Sequence, residues 1–335
     1  MQPPTVFGMQ KRFVLLSEDR PASDWLARFV AGRAEAEAWY RGTGRGAPPT
    51  AAECASRLRQ HMPELMGEYE RVCDLLGDDE LAHQILSQYR PPPLTHGCTQ
   101  AVWLGDSGPA LVRNYDYPLG TVSEHFESTR WFGREVICKA QRPWGGCLDG
   151  MNADGLVASL TAGGDAAQGA GFAIILVLRY VLETCQEVSE AVAALCRIPV
   201  ALSQNVTVLD KTGAYATVYL NPSRPPEVSQ VRVCANHQDS RASAASSAGV
   251  AHSIERQQIA TRALERSGAM LDGLVEAFLK EPIYSRRASS PTVYSAVYRP
   301  AALSVDYVWP GHTVTQRIGS FRAGQYVHEY GVLTI

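Results

Sequence analysis

Two strand-type runs around a strong turn, within residues 97–118, constrain this chain more than any other stretch. The runs 99–104 (TQAVWL) and 110–115 (ALVRNY) are rich in β-branched, aromatic and apolar residues. Between them stand Gly105, Asp106, Ser107, Gly108 and Pro109, residue types that turn a chain. The pattern predicts a β-hairpin. If the hairpin is symmetric about Ser107, Cys98 lies opposite Asp116, since each is nine residues from the centre. Opposed residues have Cβ atoms about 4.5–5.5 Å apart, so a thiol and a carboxylate would be neighbours. Gln100 and Asn114 would share that face. A five-residue loop holds register loosely, and a slip of one residue would reverse every face.

The rest of the chain reads as α+β. Residues 1–97 look helical after a short proline-containing lead. Ser23 and Asp24 can cap a helix to about Arg41, and Thr50 can cap a second one that Pro63 splits or kinks. Asp78 and Asp79 can start a third, to Tyr89. Pro91, Pro92 and Pro93 then force an extended approach to Gly97 and Cys98. Downstream, strands are expected at 134–140, 156–161, 206–210, 215–220, 231–235, 293–298 and 305–309. Helices are expected at 170–185, where the sequence is apolar nearly all round, and at 189–196, 253–267 and 271–279. Ser253 would cap the third of these. Residues 150–155 read as a turn with Asn152 in left-handed geometry. Strands and paired helices in alternating blocks suggest helices stacked on antiparallel sheets.

Composition narrows the classes. The chain has 335 residues, 45% of them hydrophobic and 19% charged, with a formal net charge of −3. That is ordinary for a globular protein, and no basic run suggests a nucleic-acid face. The longest apolar run, residues 172–178, is too short to span a bilayer. The N-terminal residues lack the apolar core of a signal peptide, so a cytoplasmic location is expected. The eight cysteines include no C-x-x-C pair and no Cys/His cluster with zinc spacing. Cys98 aside, they are expected to be reduced and buried. Trp103 and Trp144 are read as core aromatics.

Five short motifs occur in a fixed order: Gly-Cys-Thr at 97–99, Arg-Asn-Tyr-Asp at 113–116, Asp-Gly-Met-Asn at 149–152, Asn-Val-Thr-Val-Leu-Asp at 205–210 and Ala-Asn-His-Gln at 235–238. In these the chain resembles the acyl-coenzyme A:6-aminopenicillanic acid acyltransferase-like family. That family belongs with the choloylglycine hydrolases and penicillin V acylases among the N-terminal-nucleophile (Ntn) hydrolases. The resemblance runs from about Thr95 to the C-terminus.

The resemblance implies a four-layer αββα sandwich preceded by a helical segment. It implies a chain that cuts itself between Gly97 and Cys98, leaving a helical prosegment (1–97) associated with a catalytic core (98–335). Cys98 would be nucleophile and new N-terminus. Such a mechanism is chemically self-consistent. An α-amino group with a pKa near 7.7–8.0 can take the proton of a thiol near 8.5. Gly97 offers no Cβ to obstruct attack on its carbonyl. By the same resemblance Asp116 would orient the α-amine, and Asn236 would help form the oxyanion hole. A backbone group within 159–164 would supply the second oxyanion donor. Arg113 matches a site arginine, although in a regular strand it and Asp116 face opposite ways. Arg256 is a further candidate arginine, and Asn205 and His237 flank the same motifs. The implied substrate is a small-molecule, linear non-peptide amide, hydrolysed or used for acyl transfer. No metal or organic cofactor is expected, acyl-CoA entering only as an acyl donor. No nucleic-acid or membrane partner is expected, and a homo-oligomer is compatible. Two alternatives stand beside this one. Cys98 could work with His237 in a papain-like enzyme that never cuts itself, or the chain could be a catalytically silent binding homologue.

Overall fold

The computed structural model of this protein describes residues 5–6, 8–42, 48–92, 97–141, 144–238, 248–267 and 270–334. Pro93, Thr95, His96 and most of the 42–49 loop lie outside the described residues. In chain order the first elements are strands β1 (Thr5–Val6) and β2 (Met9–Ser17) and helices α1 (Ser23–Ala31), α2 (Arg33–Tyr40), α3 (Ala51–His61), α4 (Met66–Leu76) and α5 (Glu80–Ser87). Local chemistry explains the helix ends. Thr50 Oγ1 accepts from the Glu53 N–H at 3.2 Å, and Asp79 Oδ1 from that of Ala82 at 3.1 Å. Pro63 sits in the 3₁₀ turn Pro63–Leu65 that separates α3 from α4.

The hairpin follows as β3 (Gly97–Gly105) and β4 (Gly108–Asp116). Next come β5 (His125–Thr129), β6 (Val136–Gln141), β7 (Gly146–Asn152) and β8 (Val157–Ala162), then α6 (Ile174–Thr184) and α7 (Val188–Arg197). Strands β9 (Gln204–Leu209), β10 (Tyr215–Asn221), β11 (Arg224–Ser229) and β12 (Val233–Cys234) precede α8 (Ala248–Ser267) and α9 (Leu271–Phe278). The chain closes with β13 (Thr292–Arg299), β14 (Ser304–Trp309), β15 (His312–Arg317), β16 (Gly324–Tyr330) and β17 (Leu333–Thr334), which pairs with β1.

Two sheets form the body. One has nine strands in the order β11-β10-β9-β8-β7-β6-β5-β2-β16, and the other six, β12-β3-β4-β13-β14-β15. Helices α6 and α7 pack on the nine-stranded sheet, and α8 and α9 on the six-stranded one; β3 and β4 meet β8 and β9 across the middle. The result is a four-layer αββα sandwich. The alternation of β7 sorts the layers. Asp149 faces the six-stranded sheet, whereas Gly150 faces α6 so closely that a Cβ there would stand 2.7 Å from Leu182 Cδ1.

Several elements depart from the sequence expectation. Residues 1–97 are not helical throughout, because β2 is an interior strand of the nine-stranded sheet, parallel to β5 and antiparallel to β16. Its alternation is imperfect, which hid it. Residues 146–152 are strand β7 rather than the start of a turn. Asn152 does not have positive φ; Gly155 does, at +82°. Asn152 instead accepts from the N–H groups of Asp154 and Leu156 and donates to the carbonyls of Leu182 and Cys185, which makes it a brace between strand and helix. Helix α8 begins before Ser253, so Ser253 is inside the helix and caps nothing. Gly32 breaks the first predicted helix in two.

Phe13 on β2 is fully buried, with ring centroids 5.6 Å from Phe126 and 5.1 Å from Trp309. Phe13→Ala is therefore expected to destabilise the whole protein by roughly 3–5 kcal/mol in urea unfolding, as at a core site. A loss near zero would mean that this segment packs as a dispensable leader.

Candidate active site

The hairpin register differs by one residue from the symmetric expectation. Gly105 pairs with Gly108 around a two-residue turn, so Cys98 lies opposite Tyr115, Gln100 opposite Arg113, and Gly97 opposite Asp116. Two-residue turns match the strand twist better than the longer loop assumed from sequence. The correction exchanges the faces. Cys98, Gln100 and Val102 point between the sheets with Arg113, Leu111 and Tyr115. Ala101, Trp103, Ala110 and Val112 point to α8 and α9. Arg113, and not Asp116, shares the thiol's face, and its Nη2 stands 3.4 Å from Cys98 Sγ.

Cys98 is fully buried, and burial pushes its thiol up to about 12, with Arg113 pulling the other way. Its backbone N–H donates to Asn236 Oδ1 at 2.8 Å, and its carbonyl accepts from Arg256 Nη1 at 2.7 Å. Arg256 also donates to Thr99 Oγ1, and through Nη2 to Asn236 Oδ1 at 2.6 Å; its Nη1 lies 3.5 Å from Asp116 Oδ2. One arginine thus clamps the strand that carries the thiol, the Asn236 turn and Asp116 together. Both contacts to the Asn236 side chain fall on its oxygen. Its Nδ2 is buried and has no partner among the described residues.

Asp116 accepts from Thr292 Oγ1 at 2.6 Å. Burial raises its carboxyl to about 6, against the opposing pull of Arg256 and Thr292. Gly97 faces it so closely that a Cβ would stand 2.9 Å from Asp116 Cβ, so glycine is sterically required there. Behind Arg113 lies Asp149, which accepts from Arg113 Nη1 at 2.7 Å and from the hydroxyls of Tyr294 and Tyr298. Arg113 Nη1 also reaches the Leu148 carbonyl at 2.9 Å and Ser159 Oγ at 3.2 Å. Burial works most strongly against the charge on Arg113, but Asp149, Tyr294, Cys98 and Tyr298 together outweigh it, leaving the guanidinium pKa raised.

The remaining expected residues divide. Asn205 donates from Nδ2 to Thr161 Oγ1 and to the carbonyls of Ala162, Ala235 and His237, each at 3.1 Å, so it staples β8 and β9 to the Asn236 turn. His237 Nδ1 lies 2.8 Å from Ser253 Oγ, which in turn accepts from the Asn236 N–H at 2.6 Å. His237 Nδ1 is thus directed to a serine, and the polar group at 3.4 Å from the thiol is Arg113. In the 159–164 stretch, β8 pairs with β9 through Ala162, and the Gly163 N–H donates to the Ser203 carbonyl at 3.0 Å. Sequence reasoning gave Asp149, Tyr294, Tyr298 and Thr292 no part in the site and read Ser253 only as a helix cap. A signal existed for the tyrosines, whose spacing of four puts them on one face of a strand.

Fold and site together define an α+β protein of the Ntn-hydrolase type. The chain belongs to the acyl-coenzyme A:6-aminopenicillanic acid acyl-transferase family, whose model matches residues 103–313. The matched span takes in Arg113, Asp116, Asn236 and Arg256 and begins shortly after Cys98. Among solved structures it is similar to two variants of conjugated bile acid hydrolase from Clostridium perfringens. Both give a TM-score of 0.50 at 12% identity; one alignment covers 68% of this chain and 96% of that one, the other 71% and 99%. Penicillin V acylase from Agrobacterium tumefaciens gives 0.45 at 15% identity, over 67% and 87%. No curated protein sequence matches the chain.

The raised carboxyl of Asp116 has a measurable consequence. The folded state holds that proton to about pH 6, whereas the unfolded chain releases it near the ordinary 3.8. Folded protein therefore binds the extra proton between those values, and stability falls as pH rises through them, by about 3 kcal/mol in all. Urea unfolding from pH 4 to 7 should show this fall in the wild type relative to Asp116→Asn. Parallel curves for the two proteins would mean that Asp116 titrates normally.

Proposed function

We propose that this protein is a self-cleaving Ntn amidohydrolase or acyltransferase with Cys98 as its nucleophile. The observation that carries the reading is the Asn236 side chain. Its Oδ1 is held by the nitrogen of Cys98 and by Arg256, which leaves the Nδ2 amide buried and without a partner among the described residues, beside the thiol-bearing residue. An unsatisfied buried donor is costly, roughly 1–3 kcal/mol, and such donors serve where negative charge develops during reaction.

In the joined chain the Cys98 nitrogen is an amide and the buried thiol is neutral. Self-cleavage would begin with attack of Sγ on the Gly97 carbonyl. The C–N bond to Cys98 breaks, the nitrogen takes the thiol proton, and a Gly97 thioester forms. Water then hydrolyses the thioester, giving a Gly97 carboxylate and restoring the thiol. The freed α-amine, held by Asn236 Oδ1, becomes the base for later turnovers. In each turnover the thiolate attacks the carbonyl of a linear non-peptide amide, and the oxyanion is met by Asn236 Nδ2. The amine leaves with a proton, and the Cys98 thioester passes its acyl group to water or to an acceptor amine. Acyl-CoA would serve only as an acyl donor, and no metal or organic cofactor takes part. Arg113 would stabilise the thiolate. Asp116 would act by holding Arg256 rather than by touching the amine, since the Cys98 nitrogen contacts Asn236. The strand β2 would keep residues 1–97 bound after cleavage.

Intact-mass measurement of purified protein should find two chains of 97 and 238 residues (335 less 97), and Cys98→Ala should remain one chain. A fully active single chain would overturn the reading. On a panel of N-acyl amines, Asn236→Ala should reduce kcat roughly 10²–10³-fold with little change in KM.

A further inference from the structure

We propose that Asp149, together with the hydroxyls of Tyr294 and Tyr298, is a positioning group that holds the Arg113 guanidinium against the sulfur of Cys98. The proposal deepens the reading above and rests on Cys98 as the nucleophile. Asp149 sits at the back of Arg113, fully buried, as is the arginine. Tyr298 donates to its Oδ1; Tyr294 and Arg113 Nη1 donate to its Oδ2. A carboxylate with both oxygens occupied by directed donors cannot rotate without breaking one of them. Burial raises both tyrosines well above their ordinary range, so they remain O–H donors throughout the working pH.

The topology gives this hub its effect. Arg113 grows from β4 in the six-stranded sheet, as does the nucleophile's strand β3. Every oxygen partner of its Nη1 lies on the nine-stranded sheet: the Leu148 carbonyl, Asp149 and Ser159. Those partners hold one prong of the planar fork, and its geometry then directs Nη2 to the sulfur at 3.4 Å. Ser159 is braced in turn, donating to Gln100 Oε1 at 2.6 Å, two residues along from Cys98. A buried ion pair of this kind adds little net stability over an apolar packing. Its distinctive product is a guanidinium fixed beside a thiol, and a fixed positive charge favours the thiolate.

The test reads the thiolate directly. The protein as purified is alkylated with iodoacetamide across pH 6–11, a range that extends toward the raised thiol, and the rate at Cys98 is resolved by peptide mass spectrometry, because Cys196 is exposed and will also react. The charge of Asp149 itself raises the thiol, so its loss alone would lower the Cys98 midpoint. A rise of about one pH unit in Asp149→Asn, about tenfold less thiolate at neutral pH, is expected because Arg113 is no longer held at the sulfur, and a fall would overturn the proposal. Tyr298→Phe keeps the ion pair and removes one donor, so it should move the midpoint the same way by less. Unchanged midpoints in both variants would overturn the proposal, as would a wild-type Cys98 that never labels. If Asp149→Asn does not fold, Tyr298→Phe decides alone. No substrate is involved, and wild type and variants are compared in the same cleavage state, established first by intact mass. A cut, active protein with unmoved midpoints rejects the hub alone, whereas an uncut, inactive protein rejects the nucleophile assignment.

Discussion

The Arg113–Asp149 ion pair joins the two sheets where their separation matters most. Its partners are completely buried and 2.7 Å apart, one on each sheet. Removing either charge would leave the other stranded in a dry interior, typically a loss of 3–5 kcal/mol. Around the pair, Tyr294 and Tyr298 come from β13, Ser159 from β8 and Gln100 from β3. Apolar side chains can slide against one another with little change in energy; directed bonds to a buried charge cannot. The pair therefore sets the register between layers as well as the position of the group beside the thiol.

A second cation does the same work on the outer side. Arg256 projects from α8 to the carbonyl of Cys98, the oxygen of Asn236 and the carboxylate of Asp116. Helix α8 is anchored there a second time through Ser253, whose hydroxyl takes the Asn236 N–H. Cys98 thus lies between two arginines, Arg113 from the neighbouring strand β4 at its sulfur and Arg256 from helix α8 at its backbone. The unpaired Asn236 amide follows from this arrangement, since the Cys98 nitrogen and Arg256 both donate to its oxygen and, among the described residues, none reaches its nitrogen.

The parts legible in the sequence were those governed by local rules. Thr50, Asp79 and Pro63 announced helix ends because capping and proline geometry act over a few residues. The nearly all-apolar α6 announced a buried helix. The hairpin was visible as two strand-type runs about a turn, but its register was not, because turn length is decided by how the strands twist together. The strands that were missed were hidden for different reasons. In β11 and β15 most side chains are exposed, so their sequences carry little apolar alternation. In β7 glycine stands where α6 lies close, and glycine reads as a turn. β2 is separated in sequence from every strand it pairs with.

The sequence alone determined the chemistry present: a cysteine after a glycine, a nearby arginine and aspartate, an asparagine far downstream, and an α+β pattern able to carry them. Those are matters of residue type, order and short-range propensity. Tertiary structure decided which of them meet. It placed Arg113 rather than Asp116 on the thiol's face, made Arg256 a central clamp, turned His237 to Ser253, and drew in Asp149 and two tyrosines. The reason is physical. A one-residue register shift reverses a strand's faces, and contacts between residues 16 to 158 positions apart depend on how whole layers pack, which no local stretch encodes.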